Sequence, residues 1–324
     1  MGIVQELKEK ALNSGKISGE EALLLAEAPL EELAEAAEEI RRKKCGQGFD
    51  LCTIVNGKCG RCSEDCKYCA QSAHYHARCT EAYGLLSTEK LLEGARHNQE
   101  KGVLRYSIVT SGRKLSDREV EQVCESIRAI REETGIQVCV SFGLLEEVQF
   151  RKIREAGASR VHCNLESSAG FFPHICTTHT YQEKIDTLKA AKRAGLSVCS
   201  GGILGLGETM EDRIDMILTA RELGVKSVPV NLLNPIPGTP LENRKPLTNE
   251  EARRCVALFR FLIPEASIRL AGGRGLLGDK GEACFRSGAN AAISGDMLTT
   301  AGITVETDRS LVESLGFEVK LCNE

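Results

Sequence analysis

No tryptophan occurs in the 324 residues, and phenylalanine and tyrosine bring the aromatic share to only 4%. The core must therefore be filled by aliphatic and small side chains, since the large aromatic anchors are scarce. With only 8 prolines, an extended proline-rich chain is excluded as well. No apolar run approaches the roughly 18 residues of a membrane helix, so no membrane association is expected. The opening MGIVQELKEKALNSG is charged and amphipathic, without the apolar stretch of a secretory signal, and a cytoplasmic location is expected. Nor is there an excess of positive charge. The net charge of −4 argues against a general nucleic-acid binder. Hydrophobic residues at 42% and charged residues at 27% place the chain among ordinary globular proteins and exclude disorder.

Against these absences stand 15 cysteines. Without a secretory signal they are not expected to form disulfides. Reduced thiols serve as small core residues or as soft metal ligands, and spacing must decide between the two.

Residues 1–44 read as short helices. Ser18 and Glu21 form a capping pair, and Pro29 stands at the start of a helix that ends in basic residues. From residue 45 to about 300 short apolar runs alternate with longer helical stretches. The expected strands are Leu51–Val55, Arg105–Val109, Gln137–Ser141, Arg160–Asn164, Ser197–Ile203, Ser227–Leu232, Ser267–Leu270 and Ala291–Ser294. The helices between them are expected at Thr88–Lys101, Asp117–Thr134, Leu145–Ala156, Tyr181–Ala194, Met210–Leu223, Asn249–Leu262 and Gly281–Arg286. Glycines 102, 135, 157, 195 and 224 stand at the helix-to-strand junctions as stops. This alternation predicts an α/β fold, a (β/α)8 barrel of the TIM type with short N-terminal helices packed on it. The tail, 301–324, reads as short and partly irregular.

Chemistry in such barrels sits at the carboxyl ends of the strands. The inward and strand-end positions are expected to be Cys52, Arg105, Ser107, Cys139, Asn164, Glu166, Cys199, Ser227, Asn231 and Arg269. That set is polar and rich in thiols, where a barrel interior filled for stability alone would carry Val, Ile and Leu.

The densest motif is Cys62-Ser63-Glu64-Asp65-Cys66-Lys67-Tyr68-Cys69. Three thiolates on one loop can hold three corners of a four-iron, four-sulfide cubane and leave one iron open. A zinc ribbon built from Cys59, Cys62, Cys66 and Cys69 would need a longer loop between its pairs. A bacterial ferredoxin run has different spacing and a proline after its last cysteine, where this chain has Ala70. A non-catalytic metal-binding module would need neither the glycine-rich segment GGILGLGE nor the asparagines at strand ends.

The CxxxCxxC spacing, with an aromatic before its last cysteine, resembles the signature of the radical S-adenosylmethionine superfamily. The wider segments CSEDCKYCAQSAHY, HCNLESS, HTYQEKIDTL, VCSGGILGLGET, SVPVNLLNPIPGTPL, IRLAGGR and CFRSGAN resemble the biotin synthase family within it, over roughly residues 45–300. The resemblance implies radical sulfur insertion into dethiobiotin. It implies that Cys62, Cys66 and Cys69 hold a four-iron cluster whose open iron binds S-adenosylmethionine. It assigns the cofactor contacts to Tyr68, Glu166, Lys184, Gly202, Ile203, Gly205 and Glu208, and the ureido ring of the substrate to Asn164 and Asn231. It also implies an electron donor such as flavodoxin or ferredoxin, and a homodimer.

Typical members of that family carry a two-iron auxiliary cluster held by three cysteines and one arginine. Two of those cysteines and the arginine are matched here by Cys139, Cys199 and Arg269, while the third cysteine is replaced by Ser107. Cys52, on the neighbouring strand, stands where typical members carry a hydroxyl. A thiol is lost at one strand and gained at the next, so Cys52, Cys139, Cys199 and Arg269 are expected to surround the auxiliary cluster, a four-iron form with an extra sulfide being favoured over a two-iron form. Cys176 ranks next as an auxiliary ligand, Cys59 and Cys79 lie near the same face, and Cys163 reads as core. His74 and His76 read as structural, and Cys45, Cys124, Cys255, Cys284 and Cys322 as thiols without a role in the site.

Overall fold

A computed structural model describes residues 2–77 and 81–322. Three helices come first: α1 (Ile3–Leu12), α2 (Gly19–Ala26) and α3 (Leu30–Cys45). They bury Val4, Leu7, Leu25, Leu33, Ala37 and Ile40. The Ser18–Glu21 capping box opens α2 as expected, and Pro29 sits just before α3.

The barrel follows. Its strands are β1 (Gly48–Lys58), β2 (Arg105–Thr110), β3 (Gln137–Ser141), β4 (Arg160–His162), β5 (Ser197–Cys199), β6 (Gly202–Leu204), β7 (Ser227–Leu232), β8 (Ser267–Leu270) and β9 (Ala291–Ser294). All pair in parallel, and β1 pairs with β9 through Asp50–Ala291 to Thr53–Ser294, which closes the sheet. Helices α4 (Thr88–Glu100), α5 (Asp117–Glu133), α6 (Glu147–Glu155), α7 (Tyr181–Arg193), α8 (Met210–Glu222) and α9 (Asn249–Leu262) connect successive strands, with the four-residue α10 (Glu282–Phe285) before β9. Helix α3 lies on α9. The expected (β/α)8 architecture is therefore the one found.

Capping explains why helix boundaries agree so closely. Ser116, Thr180, Thr209 and Thr248 each accept a hydrogen bond from the amide three residues on, and the acidic side chain at that third residue answers the cap.

One expected strand is split. Ser197–Ile203 divides into β5 and β6 at Ser200 and Gly201. The Ser200 amide donates to Ser227 O at 3.0 Å. In a parallel ladder the return bond to Ser200 would come from the amide of residue 229, and that residue is Pro229, which has none. The chain approaches so closely here that a Cβ on Gly201 would lie 2.0 Å from Pro229 O, so only glycine fits.

The tail departs from expectation. It forms α11 (Val305–Ser314), capped by Thr304, and β10 (Glu318–Val319), which pairs with β1 at Gly48 and Phe49. Asp308 of α11, wholly buried, accepts from Arg274 Nη1 at 2.7 Å and Nη2 at 2.5 Å and also from the Ser294 hydroxyl. This fork ties the tail helix to the end of β9. Asp308→Asn leaves the Arg274 guanidinium buried without its counter-charge, so the cluster-free chain should lose about 3–5 kcal/mol of unfolding free energy. Urea titration checks this, and a midpoint unchanged from the parent would show that the tail is held by apolar contacts alone.

Candidate active site

Strand alternation carries the inward side chains. In β1 the inward series runs from buried Asp50 and Cys52 to half-buried Ile54 at the cavity wall. Asp50 is the hub of the barrel floor. Its carboxylate lies 2.9 Å from Arg105 Nε, 3.1 Å from Arg269 Nη2 and 4.0 Å from Arg160 Nη1. All four side chains are buried. Burial alone would raise the Asp50 carboxyl pKa, but Arg269, Arg105 and Arg160 outweigh it and hold it down.

Cys52, Cys139 and Cys199 are wholly buried just above this floor. Register places Cys52 beside Arg105, Cys139 between Ser107 and Arg160, and Cys199 between His162 and Ser227. Burial pushes the Cys52 and Cys199 thiols up, with Arg269 pulling the other way for both. At Cys139 burial is overcome by a hydrogen bond to His162 and by the charges of Arg160 and Arg105, so this thiol lies below its usual value. Buried thiols among guanidinium groups suit an anionic iron–sulfur cluster, which needs soft ligands and nearby positive charge. Ser107 Oγ is buried at the same level without a hydrogen-bond partner among the described residues, and Ser107 lines the cavity above.

Arg269 is engaged more fully than a free ligand would be. Its Nη1 donates to Asp50 O at 2.9 Å and to Ala292 O at 3.0 Å, and its Nε to Ser227 Oγ at 3.4 Å.

Above the floor opens a cavity of about 300 Å³. Cys62, Cys66 and Tyr68 stand at its mouth, and Asn164, Glu166, Lys184 and Asn231 on its walls. A second space of about 270 Å³ adjoins it, sharing Tyr68, Asn164, Glu166 and Asn231 and adding Cys69 and Ile203. The cysteine loop is folded on itself by Cys62 N to Gln71 O at 3.0 Å and Ala73 N to Cys62 O at 2.8 Å. It is clamped to the segment after β4, where Asp65 accepts from Thr177 N at 2.8 Å and Lys67 N donates to Ile175 O at 2.9 Å. Burial pushes the Cys69 thiol up to about 11. Deprotonation of these thiols awaits a metal.

Glu166 adopts a left-handed backbone with φ of 71°, rare for a residue with a Cβ. Its amide donates to Gly201 O and its carbonyl accepts from Ile203 N, each at 3.0 Å. Gly202 is required by this contact, since its Cβ would lie 2.4 Å from Glu166 O. Burial raises the Glu166 carboxyl, while Lys184 and the Tyr68 hydroxyl act in the opposite sense. Lys184 is buried. Desolvation disfavours its charge, yet the Cys163 thiol and the Glu166 carboxyl outweigh that and keep it cationic.

Asn231 bridges two strand ends, donating to Gly202 O at 3.1 Å and accepting from Gly272 N at 3.0 Å. Asn164 Oδ1 accepts from Gly201 N at 3.4 Å. Beyond these bonds Asn231 retains one N–H and one lone pair, and Asn164 both N–H groups and one lone pair.

Glu208, which the resemblance assigns to the cofactor segment, is held by donors of the protein itself. It accepts from Gly205 N at 2.8 Å, Gly207 N at 2.9 Å and Arg213 Nε at 2.7 Å, and so holds the glycine turn in shape, with φ of 96° at Gly205. Cys176 meets the cysteine loop: its Sγ is 3.8 Å from Cys66 Sγ and 3.3 Å from His179 Nδ1. The hydrogen bond from Cys66, with help from His179, draws the Cys176 thiol down to about 4 against its burial. His74 hydrogen-bonds Ser63 O at 2.9 Å, a structural contact as expected. Cys59 is buried and exchanges backbone bonds with Tyr83, and Cys79 lies outside the described residues.

The chain matches the radical SAM superfamily over residues 58–220 and the biotin and thiamin synthesis associated domain over 229–318. It is 56% identical over 98% of its length to a biotin synthase of Brachyspira hyodysenteriae, covering 95% of that protein. The chain belongs to the biotin synthase family. Identity to a biotin synthase 2 of Corynebacterium diphtheriae is likewise 56%, over 99% of this chain and 97% of that one, and to a biotin synthase of Akkermansia muciniphila 54%, over 99% and 100%. As a member of the biotin synthase family it is a radical SAM enzyme. Among solved structures, methylornithine synthase has a TM-score of 0.84 at 18% identity over 97% of both chains, and the hydrogenase maturase HydG of Carboxydothermus hydrogenoformans 0.84 at 17%, over 99% of this chain and 80% of that one. At such identities the likeness is one of fold.

Replacing Glu208 by Ala removes the acceptor shared by two turn amides and one guanidinium, each unmade bond leaving about 1–3 kcal/mol of unsatisfied polar group. Binding of S-adenosylmethionine to the cluster-loaded chain should weaken at least tenfold with iron content unchanged. Equilibrium binding at parental affinity would show that the turn keeps its shape without this carboxylate.

Proposed function

We propose that the chain converts dethiobiotin to biotin by radical sulfur insertion, with S-adenosylmethionine at the mouth of the barrel and a sulfide-donating cluster at its floor. The observation that supports this best is the arrangement of donors along one barrel axis. Cys62 and Cys66 border a cavity walled by Asn164 and Asn231, Cys69 borders the space adjoining it, and Cys52, Cys139 and Cys199 lie buried among arginines toward the base.

Cys62, Cys66 and Cys69 would hold the four-iron cluster, and Tyr68, Glu166, Lys184, Ile203 and the turn at Gly202–Gly205 would receive the cofactor. When bound, the cluster and S-adenosylmethionine supply the hydrogen-abstracting radical, and the floor cluster supplies sulfide. Lys184 presents a buried cation for a carboxylate, as a point charge without the fork of an arginine. Glu166 offers carboxylate oxygens to ribose hydroxyls. The spare N–H and lone pair on each of Asn164 and Asn231 answer the carbonyl and N–H groups of a ureido ring. The closed walls hold the substrate carbons in reach of the radical and keep water out.

For the floor cluster we favour a four-iron form closed by an added sulfide. Asp50 lies 3.1 Å from Arg269 Nη2 and favours the charged guanidinium, whereas an iron ligand must present a lone pair. Arg269 would then act as a positive charge beside Cys52 and Cys199, and an added sulfide would supply the ligand that an arginine supplies in typical members. A second reading rests on Ser107, whose buried, unpartnered Oγ next to Cys139 suits a hard ligand in the place of the relocated thiol. A one-electron donor such as flavodoxin or ferredoxin, a homodimer and a cytoplasmic location complete the reading and rest on the family resemblance.

Anaerobic turnover with dethiobiotin tests the reaction: biotin and deoxyadenosine should both form, and deoxyadenosine without biotin would refute the substrate. Asn231→Ala should keep uncoupled cofactor cleavage while biotin falls at least tenfold, given about 1–3 kcal/mol per lost buried hydrogen bond. Biotin output equal to the parent would remove Asn231 from the substrate site. In a Cys62→Ala/Cys66→Ala/Cys69→Ala background, Cys52→Ser should lose the remaining iron and Ser107→Ala should retain it. The opposite pattern in iron and sulfide analysis would give the ligand role to Ser107.

A further inference from the structure

The segment Cys176-Thr177-Thr178-His179 leaves a short turn at Phe172–His174 and runs back beneath the cysteine loop. Its two metal-binding side chains meet Cys66. Among the described residues, Cys66, Cys176 and His179 bring their ligand atoms to within 4.8 Å of one another. None of the expected assignments uses Cys176 or His179 at this place.

The distances suit one metal ion. With bonds of roughly 2.3 Å to sulfur and 2.0–2.1 Å to nitrogen, a tetrahedral site has edges of about 3.8 Å between two sulfurs and about 3.5 Å between sulfur and nitrogen. Cys66 Sγ and Cys176 Sγ are 3.8 Å apart, and Cys176 Sγ lies 3.3 Å from His179 Nδ1 and 3.8 Å from Nε2. The outer shell is built as well. His179 Nδ1 is 2.6 Å from Glu64 Oε2, so Glu64 accepts the Nδ1 proton and leaves Nε2 as the ligand atom. Thr178 Oγ1 at 3.0 Å and Arg113 Nη1 at 3.3 Å fix that same carboxylate oxygen. Cys176, His179 and Glu64 are all buried, which spares the ligand set competition from water.

We propose that Cys66, Cys176 and His179 bind a single soft divalent metal ion, Fe2+ or Zn2+, in the cluster-free chain, with Glu64 orienting the histidine. The fourth position is left for water. Cys66 also belongs to the CxxxCxxC loop, so the single-ion site and the four-iron cluster compete for one thiolate. An ion seated here holds the loop in its folded form and must release Cys66 before the cluster is complete. The site stands apart from the sulfur-insertion reading and does not depend on the substrate.

Cobalt(II) titrated anaerobically into the full-length cluster-free chain tests it by absorption. The parent should take up one equivalent in a tetrahedral site with thiolate-to-cobalt charge transfer. Cys176→Ser and His179→Gln should each weaken that signal at least tenfold, while Cys62→Ser/Cys69→Ser should retain it. His179→Cys should restore binding with added charge-transfer intensity, a rescue that a misfolded chain would not give. Retention of the parental spectrum in Cys176→Ser and His179→Gln overturns the proposal. So does its loss in Cys62→Ser/Cys69→Ser, which would assign the metal to the loop triad. One equivalent of zinc should slow anaerobic loading of the radical cluster in the parent and not in Cys176→Ser; equal slowing in both overturns the competition.

Discussion

The ion cluster of Asp50 with Arg105, Arg160 and Arg269 fixes the phase of the barrel. A carboxylate and three guanidiniums are tolerated inside only together, because each alone would face a desolvation penalty of several kcal/mol. They therefore must all point inward, and strand alternation does the rest. Asp50 inward brings Cys52 inward, Arg105 brings Ser107, Arg160 brings His162 and then Asn164. A slip of one residue in β1 would turn Cys52 to the helix layer and an aliphatic side chain into the cavity. The floor thus determines the geometry of the walls, and its Arg160 and Arg105 add to the His162 hydrogen bond that lowers the Cys139 thiol against its burial.

The mouth depends on a different constraint, the close approach of two backbones. Glu166 is held in a left-handed conformation between Gly201 O and Ile203 N, and Gly202 permits that approach. The Glu166 carboxyl, Asn164 and Asn231 are thereby positioned by backbone bonds instead of by loops of their own. Glu208 supports the same turn from behind through Gly205 and Gly207. Rigid placement of this kind suits radical chemistry, where the reacting carbon must stay within reach of one atom.

Local signals made most of the fold legible. Capping residues and glycine stops set the helix ends: Asn249–Leu262 and the start of α7 at Tyr181 follow directly from Thr248 with Glu251 and from Thr180 with Glu183. The cysteine motif was readable because its spacing lies on one loop. What escaped were relations between distant residues. The β5–β6 break depends on a proline in the neighbouring strand. The Cys66–Cys176 contact joins residues 110 apart. Asp50 carried a signal that periodicity alone passes over, a single charge inside the apolar run Phe49–Val55, and its three arginine partners come from three other strands. The tail helix has a capping threonine but a mixed face, and its docking depends on Arg274. The contacts by which Glu208 holds the glycine turn, to Gly205 N, Gly207 N and Arg213 Nε, are visible only in three dimensions.

The pairing of β1 with β9 joins residues 50–53 to residues 291–294. On the ribosome these two strands are separated by most of the chain, and a contact of such long sequence separation forms late. The cysteine loop, by contrast, is local and emerges early. Arg269 and the strand beside it arrive only near the end, so the floor beneath Cys52, Cys139 and Cys199 is incomplete while the chain is still growing. A metal bound there would have to enter a barrel that has already closed, whereas the loop at the mouth forms from local residues and is open to ions earlier in synthesis.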